Sequence, residues 1–335
     1  MRSKQITSAS EKVAVIIPAL NSASRIPKLL MSILHQDYRP IEIIVVDGGS
    51  TDGTLDIVSN FQRLLGSDDF HIELLRESDF GDLRSPANAR NVGVLSSTST
   101  YLMFFDVDFE VTDCTLVSQV QRELVNHNAV RVKTIPMIDT WIEFHCALDD
   151  VRRDTLTPID VHAAGGYRRE VFRNTLFDPE LGFGDDRDFA ARLPISPVYV
   201  DAYCYRHYAH TCRDWMRQAL WYGRTFPRFL KKYWKTTSPR ENLVNPYAQL
   251  GYYTAGVGFL VLAFVARATL VTPTLSMIPL GLFLAKVLYH YVRSPSRQSW
   301  RLFYIFVRET YYGFWFLTGL LLSHWWGRGQ RVARQ

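Results

Sequence analysis

The chain has 335 residues, of which 47% are apolar, so it is long enough for one large domain or two ordinary ones and falls outside the disordered and collagen-like classes. Its net charge of +5 conceals an asymmetry, because residues 1–205 carry 20 Lys and Arg against 30 Asp and Glu, whereas residues 206–335 carry 18 against 3. The basic part also contains the longest uncharged stretches, so an anionic membrane surface explains its charge better than nucleic acid does, and no nucleic-acid partner is expected.

The first elements predicted along the chain form a β-α-β unit. Short β-rich runs at Val13–Ile17 and Ile41–Val46 flank a segment whose apolar residues, from Leu29 to Leu34, recur at helical spacing. Strands joined in this way are parallel, so the unit predicts the start of a doubly wound, mostly parallel α/β sheet. Ligands of such sheets collect beyond the carboxyl ends of the strands. Three segments are predicted to lie there: Pro18–Asn21, Asp47–Gly53 and Asp106–Asp108.

The segment Asp47–Thr54 follows the second strand and combines a carboxylate, turn-forming glycines and residues suited to capping a helix from Leu55. Asp47 would hydrogen-bond to a nucleoside, or the segment is a strand-to-helix turn without a ligand. No Gly-x-Gly-x-x-Gly follows the first strand, and no Gly-Lys-Ser/Thr follows a glycine loop. A Rossmann dehydrogenase and a P-loop enzyme are therefore disfavoured.

A helix is predicted to start near Ser85, which places Arg90 just before the apolar run Tyr101–Phe105. Arg90 would face a phosphate or join a surface ion pair. The apolar run predicts a buried strand that ends in Asp106 and Asp108. Alternate residues of an extended chain point the same way, so these carboxylates would share one Mg²⁺ or Mn²⁺ ion; the alternative is a solvated turn.

A dense acid cluster opens the next predicted helix, in the segment Gly182–Leu193. Repulsion between Asp185 and Asp186 would raise the pKa of one of them and suit it to accept a proton. The alternative is that these acids only complement the dipole at the start of the helix.

These segments together resemble the family 2 glycosyltransferases of the GT-A fold. The resemblance covers roughly the first 230 residues, and its order and spacing make it far more specific than any single motif. The matching segments are Ile17-Pro-Ala-Leu-Asn21, Val46-Asp-Gly-Gly-Ser-Thr-Asp-Gly-Thr54, Ala89-Arg-Asn-Val-Gly93, Phe105-Asp-Val-Asp108, Gly165-Gly-Tyr-Arg-Arg-Glu-Val-Phe172 and Gly184-Asp-Asp-Arg-Asp188.

The resemblance implies a role for each group of site residues. The residues implied to bind a nucleotide-diphosphate sugar are Pro18, Ala19, Asn21, Asp47, Gly49, Arg90 and Asp106. Asp106 and Asp108 would hold Mg²⁺ or Mn²⁺, with His207 as a further candidate ligand or a structural histidine. Asp186, with Asp185 beside it, would take a proton from the acceptor hydroxyl in a direct displacement that inverts the sugar.

Three departures from the family pattern limit what can be inferred from the resemblance. Ser22 and Gly48 stand where acids are frequent, so no preference for a nucleotide base is implied. The Gln-x-x-Arg-Trp signature of processive synthases is present only as Gln218–Tyr222, which favours the addition of a single sugar.

The basic part predicts a membrane association. Residues 206–241 are predicted to form an interfacial helix region on anionic lipids, because eight basic residues and one acid lie between Arg206 and Lys235 and alternate with aromatic residues. The alternative is a solvated helix that packs on its own domain. Residues 242–335 would form a membrane domain from uncharged stretches at 242–266, 268–285 and 310–327. With two spans, the basic loop after them lies on the cytoplasmic side, as the positive-inside rule requires. The third stretch either is re-entrant or breaks this rule.

These features predict a multi-pass protein of the inner cell membrane, with residues 1–205 as a cytoplasmic catalytic domain. The first twelve residues are polar and indicate no secretory signal, and four scattered cysteines indicate free thiols. The expected acceptor is a polyprenyl phosphate or a lipid-linked saccharide. A processive polysaccharide synthase, a sugar-nucleotide nucleotidyltransferase and a non-catalytic membrane scaffold remain as alternatives.

Overall fold

The computed structural model describes residues 11–67, 69–144, 146–147, 164–193, 195–233, 288, 311 and 313–323. The chain divides into two compact units. The first unit comprises Met1–Glu143 with Arg153–Tyr208, and the second comprises Phe144–Arg152 with Ala209–Gln335. The four cysteines all lie in described segments and form no disulfide there.

Four parallel strands form one half of the sheet in the first unit. They are β1 (Val13–Ala19), β2 (Ile41–Asp47), β3 (Phe70–Arg76) and β4 (Tyr101–Phe105). β1 lies between β2 and β4, and its pairing with β2 confirms the predicted parallel β-α-β unit. β1, β2 and β4 are almost entirely apolar and buried because helices cover both faces of a parallel sheet, whereas the edge strand β3 is partly exposed.

The other half of the sheet is mixed and was not predicted. It contains β5 (Phe109–Glu110), β6 (Ala129–Pro136), β7 (Ala164–Arg168) and β8 (Val198–Arg206). β7 runs antiparallel to β4 and β6, β8 runs parallel to β6, and β5 runs antiparallel to β8. The full order is β3-β2-β1-β4-β7-β6-β8-β5, so the sheet is less uniformly parallel than the sequence suggested.

Five of the helices described in the first unit are arranged in two layers around this sheet. They are α1 (Ile26–Leu34), α2 (Thr54–Leu65), α3 (Pro86–Ser96), α4 (Leu116–Leu124) and α5 (Asp185–Arg192). Residues of α1, α2 and α4 join one apolar cluster, and residues of α3 and α5 join the cluster on the opposite face. Each fully buried Leu, Ile or Phe contributes about 1.5–3 kcal/mol, so both layers hold the sheet firmly.

Helix α3 lies unusually close to β1. A Cβ atom added at Gly93 would lie 2.4 Å from Cγ2 of Ile16, so only glycine allows this approach. The helix begins where the sequence predicted, because the Ser85 hydroxyl accepts a hydrogen bond from the Asn88 amide at 3.1 Å and Pro86 occupies the first turn. The close approach buries the middle of α3, including Arg90.

The second unit contains a close helix pair, formed by α6 (Cys212–Tyr233) and by α7, residues 313–323. A Cβ at Gly223 would lie 1.9 Å from the Phe316 carbonyl oxygen, and one at Gly319 would lie 2.2 Å from that of Leu220. The two backbones are therefore in direct contact. Trp215 and Phe226 of α6 pack on Tyr311 and Phe316, and charged side chains such as Arg228 are exposed. A helix is present at Cys212–Tyr233, within the region 206–241 for which an interfacial helix was predicted, and its position on a membrane stays a prediction.

The predicted membrane spans fall mostly outside the described residues. The stretches 242–266 and 268–285 lie entirely outside them, and the stretch 310–327 is described only at 311 and 313–323. Across the described part of the chain, no helix combines the length and the apolar character needed to cross a bilayer.

Candidate active site

The loops that follow β1 and β2 are joined by hydrogen bonds. The Ala19 carbonyl, directly after Pro18, accepts from the Gly48 amide at 2.8 Å. The Asn21 amide donates to the Ser50 hydroxyl at 2.8 Å, and the Asn21 side-chain oxygen accepts from the Thr51 amide at 2.9 Å. Asn21 holds a φ of 48°, a left-handed conformation that Asn tolerates better than most residues. Two segments implied to bind the donor thus form one continuous rim.

Asp47 is 2% exposed, and its carboxylate stabilises the turn that follows it. It accepts hydrogen bonds from the Gly49 amide at 2.9 Å and from the Ser50 amide at 3.0 Å. Gly49 has a φ of 104°, a conformation that favours glycine. Asp47 therefore shapes the rim itself, and its contact with a nucleoside stays a prediction.

Glu77 is a buried acid beside this rim that sequence reasoning missed. It is 1% exposed, and one carboxylate oxygen accepts from the Ser85 amide at 3.0 Å and from the Asn88 side chain at 2.7 Å. Burial raises its pKa. A Cβ at Gly48 would lie 3.4 Å from its other oxygen. An Asp at position 48, frequent in the family pattern, would bring a second carboxylate against Glu77, which gives a physical reason for glycine there.

Arg90 joins the two sides of the site. It is 4% exposed, and its guanidinium donates to Asp106 Oδ1 at 2.6 Å and to Asp185 Oδ2 at 2.8 Å. Burial disfavours its charge, but the two carboxylates outweigh burial and raise its pKa, so Arg90 stays a cation. Its Nε atom is buried and has no hydrogen-bond partner among the described residues. Arg90 thus joins a local ion pair, one of the two roles considered for it, but its guanidinium is buried and not at the surface; its contact with a phosphate stays a prediction.

Asp106 and Asp108 lie on a turn beyond the end of β4. The Phe109 amide donates to the Asp106 carbonyl at 3.1 Å, so Asp106–Asp108 form a turn. The expectation that both carboxylates point the same way assumed an extended chain, which is not present here. Asp106 is held by Arg90, whereas Asp108 Oδ2 accepts from Nε of Arg206 at 3.1 Å. Arg206 itself lies over the rings of Phe109 and Tyr208.

The donor set of Asp106 and Asp108 fits a hard divalent cation. Asp108 Oδ1 is buried without a hydrogen-bond partner in the described part of the chain, and burial raises the pKa of Asp108 although Arg206 opposes the shift. A buried carboxylate oxygen of this kind is a ligand that Mg²⁺ and Mn²⁺ prefer. Within the described segments, no group of three His, Cys, Asp or Glu residues is arranged to hold a metal.

His207, the further candidate ligand, is anchored beside Asp108 through its backbone. Its amide donates to the Asp108 carbonyl at 2.8 Å. Its ring Nε2 lies 3.0 Å from a carboxylate oxygen of Glu110. The ring is thus engaged with Glu110, a residue that sequence reasoning did not single out.

The acid cluster occupies the first turn of α5, and its two adjacent acids have different environments. Asp185 is 9% exposed, and burial raises its pKa to about 7 while Arg90 opposes the shift and Asp186 adds to it. Asp186 is half-buried, and its Oδ1 accepts from the Arg187 amide at 2.7 Å. The raised pKa expected for one member of the pair is found at Asp185, and desolvation rather than repulsion is its main cause.

Helix α5 is held in place by aromatic stacking and by a buried ion pair. The Phe189 ring stacks on that of Phe177 with centroids 4.1 Å apart and on that of Phe172 at 5.3 Å. Asp188 is fully buried and pairs with Arg192 at 2.7 Å. Asp186 and Asp188, which have the same spacing as Asp106 and Asp108, therefore belong to a helix, and Asp188 has a structural partner.

The predicted site residues form two groups in the structure. Arg90 brings Asp106 and Asp185 together, and backbone contacts bring Pro18, Ala19 and Asn21 to the turn of Asp47 and Gly49. Sequence reasoning missed Glu77, Glu110 and Arg206. The position of Arg206, directly before the His207 already considered, was the one signal available for it.

Comparison of the sequence with known proteins gives a match to a family model and two similar glycosyltransferases. The family model described as glycosyl transferase family 2 matches residues 14–176. The PGL/p-HBAD biosynthesis glycosyltransferase of Mycobacterium tuberculosis is 34% identical over 198 residues, which cover 58% of this chain and 74% of that protein. A GalNAc(5)-diNAcBac-PP-undecaprenol beta-1,3-glucosyltransferase of Campylobacter jejuni is 30% identical over 111 residues, covering 33% of this chain and 34% of that one.

Comparison of structures agrees with the sequence result. A mannosyltransferase of Pyrobaculum calidifontis, solved in complex with GDP-Man and Mn²⁺, superposes with a TM-score of 0.60 at 20% identity, covering 95% of this chain and 88% of that chain. At this identity the likeness concerns the fold alone, and the mixed α/β sheet is consistent with the GT-A fold. The extent and identity of the mycobacterial match decide the family. The chain is a glycosyltransferase and belongs to glycosyl transferase family 2.

Proposed function

We propose that this protein transfers one sugar, with inversion, from a nucleotide-diphosphate sugar to a lipid-linked acceptor at the cytoplasmic face of the inner cell membrane. The observation that carries the proposal is the bridge made by Arg90. One buried cation contacts Asp106, implied to act on the donor side, and Asp185, implied to act on the acceptor side. Such a bridge fixes two halves of a reaction site relative to each other.

The donor side has an anionic diphosphate to neutralise. Asp106 and Asp108 would hold Mg²⁺ or Mn²⁺, which supplies stabilisation of the negative charge on the departing diphosphate. Arg90 and Arg206 stand beside these acids and keep the excess of negative charge on the protein small. The joined loops around Asn21 and Asp47 form the rim that receives the nucleoside. The Pyrobaculum mannosyltransferase, which binds GDP-Man and Mn²⁺, supports a donor of this class.

The acceptor side needs a base that the acceptor hydroxyl can reach. Asp186 is the more accessible of the two acids and accepts the proton as the hydroxyl attacks the anomeric carbon. Asp185 is buried more deeply and is held by Arg90. It positions the first turn of α5 and keeps the Arg90 cation close to Asp186. A direct attack of this kind needs no covalent intermediate, which is why a single base suffices.

The lipid-linked acceptor is proposed from two observations. The Campylobacter relative is named for an acceptor linked to undecaprenol diphosphate. In this chain, α6 carries basic residues opposite its apolar face, and each well-placed Lys or Arg near an anionic surface contributes about 1 kcal/mol to membrane binding. A polyprenyl phosphate or a lipid-linked saccharide presents its reacting hydroxyl at that surface, so a membrane-associated enzyme fits it.

The test is an assay of the purified full-length protein against a panel of nucleotide sugars, with Mg²⁺, Mn²⁺ or EDTA. We expect metal-dependent hydrolysis of one donor and a faster transfer of one sugar when a lipid-linked acceptor in detergent, either a polyprenyl phosphate or a lipid-linked saccharide, is added. A nucleotidyltransferase would instead consume the sugar nucleotide only with pyrophosphate, and a processive synthase would release long products. A scaffold would do neither. Hydrolysis without transfer to any lipid acceptor would refute the lipid-linked part of the proposal.

A further inference from the structure

Strand β8 presents a row of polar and aromatic side chains on one face. Tyr199, Asp201 and Tyr203 are exposed, and the two rings keep 49% and 42% of their surface accessible. The alternate residues Val200, Ala202 and Cys204 are buried in the apolar cluster that contains α4. Successive side chains of a strand point to opposite faces, so only one face of β8 is used for the core.

The two exposed rings are held in place by β6. The Lys133 ammonium lies 5.4 Å from the centroid of the Tyr203 ring and 2.8 Å from Asp201. The Arg131 guanidinium lies 5.7 Å from the centroid of the Tyr199 ring and donates to its hydroxyl at 3.2 Å. Both pairs follow the parallel register of the strands, in which Arg131 opposes Tyr199 and Lys133 opposes Tyr203. The rings are therefore ordered and not merely exposed.

This face is the acceptor side of the sheet. Ala129, which shares a face of β6 with Arg131 and Lys133, belongs to the apolar cluster that contains Phe189 of α5. Helix α5 carries Asp185 and Asp186 on that same side. At its carboxyl end β8 reaches Arg206, which contacts Asp108. Tyr203 precedes Arg206 by three residues, or about 10 Å along the strand.

The distribution of groups on the face suits a carbohydrate. Opposite Arg131 and Lys133, which lie two residues apart on β6, the register shift of β8 places two separate rings, Tyr199 and Tyr203. Each offers an aromatic surface for the apolar side of a sugar ring, and charged groups beside each ring can bond to hydroxyls. A lipid chain would need a continuous apolar surface, which Asp201 and Lys133 interrupt. The mixture of aromatic and charged groups therefore favours a polar ligand with apolar faces.

We propose that this face, formed by Tyr199, Asp201 and Tyr203 of β8 with Arg131 and Lys133 of β6, binds the saccharide part of the acceptor. The acceptor then carries a saccharide and is not a bare polyprenyl phosphate. The inference rests on the proposed function, because it deepens the identity of the acceptor. It adds a subsite that leads along β8 toward the reacting groups.

The test measures saccharide binding separately from donor chemistry. Soluble oligosaccharides of one to four residues, drawn from gluco-, manno-, galacto- and N-acetylhexosamine series, are titrated against the full-length protein by isothermal calorimetry, and donor hydrolysis is assayed in parallel. We expect the bound series to gain at least tenfold in affinity from one sugar to three. Tyr203→Ala and Tyr199→Ala should lose most of that gain, Tyr203→Phe should stay within about threefold of the wild type, and donor hydrolysis should stay unchanged in all three.

Leu64→Ala is the matched control, since it removes an apolar side chain that is 72% exposed on α2. Equal oligosaccharide affinity in Tyr203→Ala and Leu64→Ala would show that the rings serve only to stabilise the strand and would overturn the proposal. The absence of binding by every oligosaccharide, with donor hydrolysis intact, would overturn it as well. Failure of the proposed function is a different result, namely no donor hydrolysis in the wild type.

Discussion

Replacement of Arg90 by Gln should destabilise the first unit strongly. The change keeps much of the side-chain volume but removes the cation shared by Asp106 and Asp185. Removing one partner of a buried ion pair costs about 3–5 kcal/mol, because the remaining charge stays in a poorly solvated place. Two features favour the lower end of this range. The Asp106 side chain is 29% exposed and so is partly solvated, and Asp185 has a pKa of about 7, so it can take up a proton near neutral pH.

A loss of about 3 kcal/mol corresponds to a decrease of roughly 6–12 °C in melting temperature for a unit of this size. Differential scanning calorimetry of the full-length protein in detergent at pH 7 measures it. Arg63→Gln, the same change at an exposed position on α2, is the control and should stay within about 0.5 kcal/mol of the wild type. Adding Asp185→Asn to Arg90→Gln should restore part of the loss, because a neutral amide needs no counter-ion. If Arg90→Gln melts together with Arg63→Gln, the bridge is not the stabilising element described above.

Four further predictions follow from other features of the chain. Asp186→Asn should keep donor affinity within a few-fold by calorimetry while turnover falls by roughly a hundredfold, and a collapse of donor affinity would place Asp186 on the donor side instead. Asp108→Ala should lose Mn²⁺ binding, measured by electron paramagnetic resonance of the free ion, while its far-ultraviolet circular dichroism stays that of the wild type; unchanged Mn²⁺ affinity would refute the metal role. The pKa of Asp185 is raised from about 3.9 in the unfolded chain to about 7 in the folded state, so the stability that it contributes is complete below about pH 4 and is lost as pH rises to about 7. Thermal melts from pH 4 to 8 should therefore show a flatter dependence of stability on pH for Asp185→Asn than for the wild type, and identical profiles would contradict this. Gly223→Ala should make α6 more sensitive to trypsin, although Gly to Ala normally favours a helix by about 1 kcal/mol, because the added Cβ meets the Phe316 carbonyl. The exposed change Gln218→Ala, which leaves every Lys and Arg of the helix in place, should not, and equal protection of the two variants would argue against the close contact.

The parallel half of the fold could be predicted because its strands are buried on both faces. Runs such as Val13–Ile17 and Ile41–Val46 are continuous and apolar, and the helix between them has a clear period. Strand β8 alternates between exposed and buried residues, and its mixture of Tyr, Asp and Cys weakens that signal. β7 consists of Ala-Gly-Gly-Tyr-Arg, whose glycines disfavour a strand locally; its place between β4 and β6 is set by pairing with distant residues.

The site was predictable in its residue types and not in its pairings. The acids at Asp106 and Asp185 could be named from their positions after a strand and at a helix start. Their common partner, Arg90, lies 16 residues from one and 95 from the other, and only the packing of α3 against β1 brings it between them. The expectation of a shared carboxylate direction failed because the chain turns directly after Phe105, and a local turn of this kind leaves little trace in a short sequence.

The stacking of Phe189 on Phe177 and Phe172 has a consequence for attempts to change what this enzyme accepts. The acids of α5 are mounted on a helix that belongs to the core, so the entropy of ordering them is lost once, when the chain folds, and not again in every turnover. A helix held in this way does not swing aside to admit a bulkier molecule. Libraries intended to broaden acceptor choice should therefore leave the phenylalanine stack untouched and vary exposed positions around it, where a substitution alters access without moving the acids.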